Sequence, residues 1–390
     1  MFRGKVLWTL LAALTLIATL VAACGPTPTP VPPTATPAVK PTTPPPTATA
    51  APTAPPKMKV AFIYVGPIGD AGWTWAHDQG RLYLEKQLPY VETTYIENVP
   101  EGADAERVIR DFAMKGYQVI FTTSFGYMDP TINVAKDFPK VTFMHCSGYK
   151  TAANSGTYFG KIEEPRYVSG LIAGKMTKSN IIGYVAAYPI PEVIRGINAF
   201  TLGVRAVNAK AQVRVVWTNT WYDPAKERTA AEGLLDLGAD VIAQHQDTPG
   251  PQQAAEARGK YGVGYDADMS KFAPKAVLTS PIWNWGVYYV DAVKRVKEGT
   301  WKTEEYWGGW KDGIVDLAPI AAFVPAEVKK LAEDKVAEFK TGKATIFTVF
   351  SGPLKDQTGK VVVPEGKSMT GDELLNMKWF VEGVVGTIPK

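Results

Sequence analysis

Cysteine and histidine are scarce in this sequence, with two cysteines and three histidines among 390 residues. His77, His145 and His245 do not have the spacing of a metal motif, and no G-x-S-x-G nucleophile elbow is present. We therefore expect neither a metal-dependent nor a hydrolytic enzyme, and no metal or cofactor. Cys146 ends an apolar run, which predicts a buried and unreactive thiol.

A dominant charge of one sign is also lacking. The chain has 42 Lys and Arg against 38 Asp and Glu, a formal net charge of +4. No basic cluster is interleaved with aromatic side chains in the manner of a nucleic-acid-binding face. The sequence therefore gives no reason to expect a nucleic-acid partner.

The amino terminus has the pattern of an export signal. Arg3 and Lys5 precede an apolar run, Val6–Ala23, which ends in small residues directly before Cys24. This arrangement predicts a bacterial lipoprotein signal peptide at residues 1–23 and lipidation at Cys24. A single membrane-spanning helix is the alternative, but the run stops at a cysteine and no stop-transfer charges follow. With Cys24 lipidated, Cys146 has no cysteine to pair with, so no internal disulfide is expected.

A linker rich in proline and threonine follows the cysteine, over residues 24–57. This composition cannot bury a core and favours an extended polyproline II conformation. At about 3.1 Å per residue, such a stalk reaches on the order of 100 Å. A lipid anchor and a stiff spacer would hold a folded domain at the cell membrane, on its extracytoplasmic side.

The rest of the chain alternates short β-type runs with helical stretches of about 10 to 16 residues. It begins with a strand at Val60–Val65, a glycine-rich turn and a helix at Trp73–Leu88. Two such cycles predict an α/β fold of two Rossmann-like, doubly wound lobes, joined by a hinge around a ligand cleft. We place the N-terminal lobe at 58–160 and the C-terminal lobe at 161–282.

After the second cycle, the chain is expected to return to the first lobe. Ala276–Ile282 and a helix predicted at Trp285–Lys297 mark this return, and part of 283–320 is assigned to the N-terminal lobe. Residues 321–390 would then complete the lobes. A hairpin is predicted within Thr345–Val363, because two β-type runs flank a turn there.

Loops at the carboxyl ends of strands line the crevice of an open α/β sheet. Trp73 and Trp221 lie in such loops of the two lobes, so the two indoles are predicted to sandwich a planar ring, with core packing as their alternative role. Asp247 is predicted to accept a hydrogen bond from an N–H group of that ring, and its alternative role is a helix N-cap. The further predicted contacts are Ser124, Tyr127 and Tyr188.

Several segments together resemble a known family. They are Gly-Pro-Ile-Gly-Asp-Ala-Gly-Trp from Gly66, Glu-Asn-Val-Pro-Glu-Gly from Glu97, Phe-Thr-Thr-Ser-Phe-Gly from Phe121, Gly-Lys-Met-Thr-Lys-Ser-Asn from Gly174 and Ile-Pro-Glu-Val-Ile-Arg-Gly from Ile190. They resemble the basic membrane protein family of substrate-binding lipoproteins, and within it the purine-binding branch. The resemblance implies a type I periplasmic-binding-protein fold that serves an ABC importer, with permease subunits as partners and a purine base or nucleoside as ligand.

The resemblance also implies a role for Asp266, which aligns with the position that binds ribose in the nucleoside binders of the family. Those proteins carry Asp-Asp and Phe-Asn pairs after the first glycine turn, whereas this chain has Asp-Ala-Gly-Trp-Thr-Trp from Asp70. That departure makes a free base such as adenine at least as strong an expectation as a nucleoside.

Other functions fit the sequence less well. A dinucleotide-dependent enzyme would need a G-x-G-x-x-G turn, but Gly66, Gly69 and Gly72 stand three apart and Asp70 would place a negative charge at the phosphate. A sugar-binding lipoprotein of the same fold remains an alternative, although sugar sites usually carry more Asn, Asp and Arg than these loops offer. The sequence does not distinguish a signalling receptor from a transport component. We expect a monomeric binding protein and not an enzyme.

Overall fold

The computed structural model describes residues 29–30 and 56–389 of the chain. The predicted signal peptide, the lipidation site Cys24 and the linker apart from residues 29–30 and 56–57 lie outside the described residues. Within the described part of the chain, no helix combines the length and the apolar character needed to cross a membrane.

Strands and helices alternate along most of the described chain. The strands are β1 (Met58–Ile63), β2 (Val91–Ile96), β3 (Val119–Thr122), β4 (Thr142–Cys146), β5 (Ser155–Gly160), β6 (Ile181–Ala186), β7 (Gln212–Trp217), β8 (Val241–His245), β9 (Tyr261–Val263), β10 (Val277–Thr279), β11 (Pro281–Trp283), β12 (Glu305–Gly308), β13 (Val315–Leu317), β14 (Leu354–Lys355), β15 (Val361–Val363) and β16 (Val384–Val385). The helices are α1 (Trp73–Gln87), α2 (Ala103–Met114), α3 (Met128–Asp137), α4 (Glu163–Met176), α5 (Pro191–Val207), α6 (Pro224–Asp236), α7 (Gly250–Ala257), α8 (Trp285–Lys297), α9 (Ala326–Lys340), α10 (Ile346–Val349) and α11 (Gly371–Leu375).

Twelve of these strands form two six-stranded sheets, one in each lobe. The first sheet has the order β12-β5-β4-β3-β1-β2, and the second has the order β10-β9-β8-β6-β7-β16. Every strand pair within the two sheets is parallel. Strand β3 is buried along its whole length, as a parallel strand covered on both faces should be. The predicted α/β class with two doubly wound lobes is confirmed.

Each sheet is built outward from a central strand. In the first sheet, β1 is followed by β2 on one side and by β3 on the other, and in the second sheet β6 is flanked in the same way by β7 and β8. At such a switch point the loops that leave the carboxyl ends of the strands diverge and open a crevice. The loops after β1, β3, β6 and β8 are therefore the ones in which a binding site is expected.

The short strands β11 and β13 connect the lobes. They pair with each other in antiparallel register, with Trp283 opposite Val315, and belong to neither large sheet. The interpretation of Ala276–Ile282 as the return to the first lobe is wrong for its first half, because β10 pairs with β9 in the second sheet. The return begins only at β11. Thr279, Ser280 and Pro281 interrupt the apolar run at this point, so the sequence carries a signal for the break that the interpretation as one segment missed.

Strand β5 was not predicted from the sequence, although it lies inside the first sheet between β4 and β12. Its glycines weaken the strand signal, but neighbouring elements require them. A Cβ on Gly160 would lie 2.5 Å from the ring of Trp283, and one on Gly156 would lie 2.8 Å from the carbonyl oxygen of Glu304. Neighbouring parts of the chain therefore approach this strand too closely for a side chain at these positions, which explains the glycines that weaken its strand signal.

The carboxyl-terminal segment packs mainly on the second lobe. Helix α9 lies against α4, helix α11 lies against α5, and β16 extends the second sheet beside β7. The predicted hairpin within Thr345–Val363 is confirmed as the antiparallel pair β14 and β15.

Candidate functional site

Asp70 shapes the segment that joins β1 to α1. Its carboxylate accepts hydrogen bonds from the backbone N–H groups of Gly72, Thr74 and Trp75 at 2.8 to 2.9 Å. These amides lie at the start of α1, where the helix itself offers them no partner. Asp70 therefore fixes the first turn of α1 and, with it, the position of Trp73.

Trp73 is both part of the core and part of an interlobe cavity. Its indole Nε1 donates a hydrogen bond to the carbonyl oxygen of Thr123 at 2.7 Å. Trp283 and Trp285 meet it edge-on, with ring centroids 5.8 and 5.6 Å away. Among the described residues, no ring stacks parallel on Trp73. The indole is thus held rigidly, and a platform that is already rigid loses little entropy when a ligand binds.

The loop after β8 contains Asp247, but the side chains of Gln244 and Glu227 hold this loop in place. The side-chain amide of Gln244 donates to the carbonyl oxygens of Gln246 and Thr248 at 2.9 and 2.8 Å. The backbone N–H and the hydroxyl of Thr248 both donate to Glu227. Asp247 projects from this fixed loop, and its Oδ2 has no hydrogen-bond partner among the described residues.

Asp247 does not cap the helix that follows it. The residue before α7 is Pro249, and no side chain caps this helix. Asp247 therefore does not have the alternative role of a helix N-cap. Asp247 is 4% exposed and lines the cavity between the lobes.

A small, largely enclosed cavity lies between the two lobes. The first lobe contributes Val65, Trp73, Ser124, Phe125 and Ser147, and the second contributes Glu192, Trp221, His245, Asp247 and Tyr265. The two tryptophans predicted to face each other across the cleft thus line one cavity, and the predicted aspartate lines it too.

Two further predicted residues lie at or beside this cavity. Ser124 lines it, although its hydroxyl already donates a hydrogen bond to Glu101. The ring of Tyr188 meets Trp221 edge-to-face at a centroid distance of 5.0 Å, so it supports that indole from the side.

The structure places Tyr127 and Asp266 differently from the sequence-based prediction. Tyr127 is fully buried in the core of the first lobe, where its hydroxyl donates to the carbonyl oxygen of Val99. The prediction of Tyr127 as a ligand contact is wrong, because a short 3₁₀ turn directs its ring inward. Asp266 is also buried, and its Oδ1 accepts a hydrogen bond from Trp283 Nε1 at 2.7 Å. It is not among the residues that line the cavity.

Three polar residues that the second lobe contributes to the cavity were not predicted. They are Glu192, His245 and Tyr265. Glu192 follows β6 in the Ile-Pro-Glu sequence, and the other two end or follow strands of the same sheet. The rule that loops after strand ends line the crevice would therefore have found them. What the sequence does not show is that their polar atoms lack partners in the described part of the chain, namely Glu192 Oε2, His245 Nδ1 and the Tyr265 hydroxyl.

The charges around the cavity are mostly negative and mostly buried. Burial raises the pKa of Asp247 well above its usual value, and the carboxylates of Asp266 and Asp70 add to this shift. Burial raises the pKa of Glu192 too, against the opposing effect of Arg195. Burial lowers the pKa of His245 well below its usual value, so this imidazole is neutral. The second lobe thus places two carboxyl groups at the cavity without a charged ion-pair partner among the described residues, and N–H donors of a ligand would favour their ionised, accepting form.

No group of three or more histidines, cysteines or carboxylates within the described residues is arranged to hold a metal ion. The cavity combines two indoles, acceptor groups and a position between two hinged lobes. This fold and this site define a two-lobed binding protein that encloses a small molecule.

Comparison with known proteins identifies the family. The model of the Bmp family, described as ABC transporter substrate-binding protein PnrA-like, matches residues 57–348. The chain is 49% identical to a purine-binding protein of Brucella abortus over 335 residues, which cover 86% of this chain and 95% of that protein. It is 43% identical to a putative ABC transporter glucose-binding protein of Haloferax volcanii, over 85% of this chain and 81% of that protein. The chain belongs to the Bmp family of ABC transporter substrate-binding proteins.

Solved structures share this fold at low sequence identity. An ABC transporter solute-binding protein from Aeropyrum pernix superposes with a TM-score of 0.64 at 19% identity, over 81% of this chain and 95% of that one. A solute-binding protein from Conexibacter woesei superposes with a TM-score of 0.60 at 22% identity, over 74% and 98% of the two chains. These likenesses show the two-lobed fold and nothing about the ligand.

Proposed function

We propose that this protein captures a purine base or purine nucleoside for an ABC importer. The ring would lie between Trp73 and Trp221, and its N–H groups would donate to Asp247. The observation that carries the proposal is the carboxylate of Asp247, which is buried, lines the cavity and has no hydrogen-bond partner for Oδ2 among the described residues. A buried acceptor of this kind favours a ligand that brings N–H donors.

The relative from Brucella abortus supports a purine, since it is named for purine binding and is similar to almost the whole of this chain outside its amino terminus. The relative from Haloferax volcanii supports the second candidate, a sugar, because it is named as a putative glucose-binding protein. Sugars also stack on tryptophan and donate hydroxyl groups to carboxylates. We favour the purine because a flat aromatic ring fits between two indoles on both of its faces.

The remaining parts of the proposal concern location and partners. The protein would be anchored by a lipid at Cys24, with the linker of residues 24–57 holding the two lobes away from the membrane on its extracytoplasmic side. It would act as a monomer and deliver its ligand to the permease subunits of the importer. Asp266 would orient Trp283 at the hinge and contact no ligand atom.

Titration calorimetry with a panel of ligands tests the proposed function. The panel contains adenine, guanine, hypoxanthine, their nucleosides, glucose, ribose and other sugars. We expect at least one purine to bind with a dissociation constant of about 1 μM or lower, equivalent to about −8 kcal/mol, and no sugar to bind within a hundredfold of it. Tight binding of a sugar without a response to any purine would replace this proposal by the sugar alternative.

Substitution of Trp221 tests the stacking part of the proposal. Trp221 is only partly buried, so its replacement is less damaging to the core than replacement of Trp73. We expect Trp221→Ala to weaken purine binding at least tenfold, because stacking on an indole contributes about 1–3 kcal/mol. Trp221→Phe should retain most of the affinity.

The neighbouring Tyr222→Ala variant is the control for this measurement, since Tyr222 is exposed and does not line the cavity. Calorimetry on the three variants should separate Trp221→Ala from the other two. If Trp221→Ala and the wild type bound purines with equal affinity, Trp221 would not be a ligand contact.

A further inference from the structure

The cavity contains a second buried acceptor besides Asp247. Glu192 is 7% exposed and lines the cavity, and its Oε2 has no hydrogen-bond partner among the described residues. Leaving a buried carboxylate oxygen without a partner is costly. A ligand that supplies one N–H group to Asp247 and another to Glu192 is therefore favoured over a ligand that supplies only one.

Glu192 is not neutralised by a direct ion pair with a neighbouring arginine. Arg195 is nearby in the same helix, but its Nε donates to Glu163 at 2.6 Å. His245 Nε2 lies 3.7 Å from Glu192 Oε1, and burial lowers the pKa of His245, so the imidazole carries no positive charge. Glu192 also lies in the first turn of α5, where the helix dipole favours a negative side chain. Burial raises the pKa of Glu192, while the hydroxyl of Ser147, which also lines the cavity, lowers this pKa by hydrogen bonding. Oε2 is the oxygen that remains available to an N–H donor of a ligand.

A free purine base and its nucleoside differ in the donors that they bring. The free base has an N–H group on its five-membered ring in addition to the N–H groups on or attached to its six-membered ring. In a nucleoside, the glycosidic bond replaces the N–H of the five-membered ring, and that ring then offers only the acceptor N7. Two carboxylates accept hydrogen bonds and, when ionised, donate none. The ribose of a nucleoside also brings hydroxyl donors, but it needs space beyond that of the base, and the cavity is small. The pair of carboxylates in this small cavity therefore matches the free base better than the nucleoside.

We infer, on the basis of the proposed function, that Glu192 accepts the N–H of the five-membered ring while Asp247 accepts from the six-membered ring, so that the site selects a free purine base over its nucleoside. Glu192 is then a specificity-determining residue. The geometry on which this rests is the presence of two unpaired, buried carboxylate oxygens in one cavity lined by two indoles.

A methyl group at N9 removes the proposed donor with little added bulk. Titration calorimetry should therefore compare adenine with 9-methyladenine, and guanine with 9-methylguanine, on the wild type and on Glu192→Gln. For the wild type, we expect the free base to bind at least tenfold more tightly than its 9-methyl derivative. Glu192→Gln keeps an oxygen acceptor but loses the charge, so we expect the affinity for the free base to fall about five- to tenfold and the affinity for the methylated base to change less than threefold.

The glutamine variant also separates this inference from its nearest rival. If Glu192 were protonated and donated to N7, the amide of glutamine would keep that donor, and the affinity for both ligands would be retained. If the methyl group were excluded by size alone, Glu192→Gln would leave the binding of the free base unchanged. Either result would overturn the inference.

Two further measurements keep the outcomes distinct. Glu164→Gln is the matched control, because Glu164 is a buried carboxyl outside the cavity that accepts from the backbone N–H of Trp310. It should bind both ligands as the wild type does. Thermal unfolding without ligand checks that Glu192→Gln is folded. Failure of the wild type to bind any purine would refute the proposed function itself, whereas equal binding of base, 9-methyl base and nucleoside would refute only the selection by Glu192.

Discussion

Replacement of Asp247 by alanine is expected to weaken purine binding at least a hundredfold while leaving the protein folded. Hydrogen bonds to a charged group contribute about 1.5–3 kcal/mol each, and two such bonds from one ligand edge exceed the roughly 2.7 kcal/mol that a hundredfold change requires. The fold should not suffer, because Gln244 and Glu227 hold the loop and Asp247 does not. Calorimetry gives the affinity, and thermal unfolding without ligand gives the stability.

The matched control is Asp240→Ala. Asp240 is also a buried aspartate of the second lobe, but its carboxylate accepts hydrogen bonds from the Thr177 hydroxyl and from the backbone N–H groups of Lys178 and Ser179. We expect Asp240→Ala to lower the free energy of unfolding and to leave the affinity of the folded protein unchanged. If Asp247→Ala instead lost stability and retained its affinity, Asp247 would be a structural residue and the proposed recognition would be wrong.

Asp247→Asn should lower the affinity for different purine bases by different factors. An asparagine amide offers one donor and one acceptor, whereas an ionised aspartate offers only acceptors. Guanine presents two neighbouring N–H donors on its six-membered ring and should lose most affinity. Adenine presents a donor beside an acceptor and should lose less. Equal losses for all purines would count against a direct contact with the six-membered ring.

The sequence pattern was sufficient for most of the fold. Alternation of β-type runs and helices predicted the two doubly wound lobes, and α1 begins at Trp73 as expected. The pattern failed where packing between elements decides the local structure. Strand β5 contains glycines because Trp283 and the chain near Glu304 approach it closely. The chain changes sheets within three residues, at Thr279–Pro281, and which strand each side of this short break pairs with is decided by tertiary packing.

The cavity was predicted only in part, and the reason is similar. Trp73, Trp221, Asp247 and Ser124 could be selected because each follows the carboxyl end of a strand, and all four line the same cavity. Glu192 and Tyr127 follow strands too, yet only Glu192 faces the cavity. Whether a side chain in such a loop points outward or into the core depends on one turn of backbone. Whether its polar atoms find partners depends on residues that are distant in the sequence.

The lobes meet at Gly72, and this contact gives a second prediction with a large expected effect. Gly72 lies in the first lobe, directly before α1, and touches the backbone of Asp247 in the second lobe. A Cβ on Gly72 would lie 2.0 Å from the carbonyl oxygen of Asp247 and 2.7 Å from its Cα. The clash is with backbone that Gln244 and Glu227 hold in place, so no side chain can move aside to relieve it.

Gly72→Ala is therefore expected to prevent the lobes from closing around a ligand. Overpacking typically costs about 1–3 kcal/mol and occasionally more. Because the backbone here cannot yield, we expect a cost of about 3 kcal/mol, and a binding-competent state that is less populated by this amount lowers the apparent affinity on the order of a hundredfold. Each lobe should fold normally, since the three atoms nearest to the added methyl group all belong to Asp247 of the opposite lobe. Calorimetry should show the loss, and circular dichroism should match that of the wild type.

Gly69→Ala is the matched control, because it lies in the same loop and a Cβ there would meet no atom within 4 Å. It should bind as the wild type does. Small-angle X-ray scattering adds a measurement of closure itself, since saturating ligand should reduce the radius of gyration of the wild type and of Gly69→Ala but not that of Gly72→Ala. If Gly72→Ala bound its ligand within threefold of the wild type, the contact between Gly72 and Asp247 would not be needed for binding, because the cavity would then hold its ligand with the lobes apart.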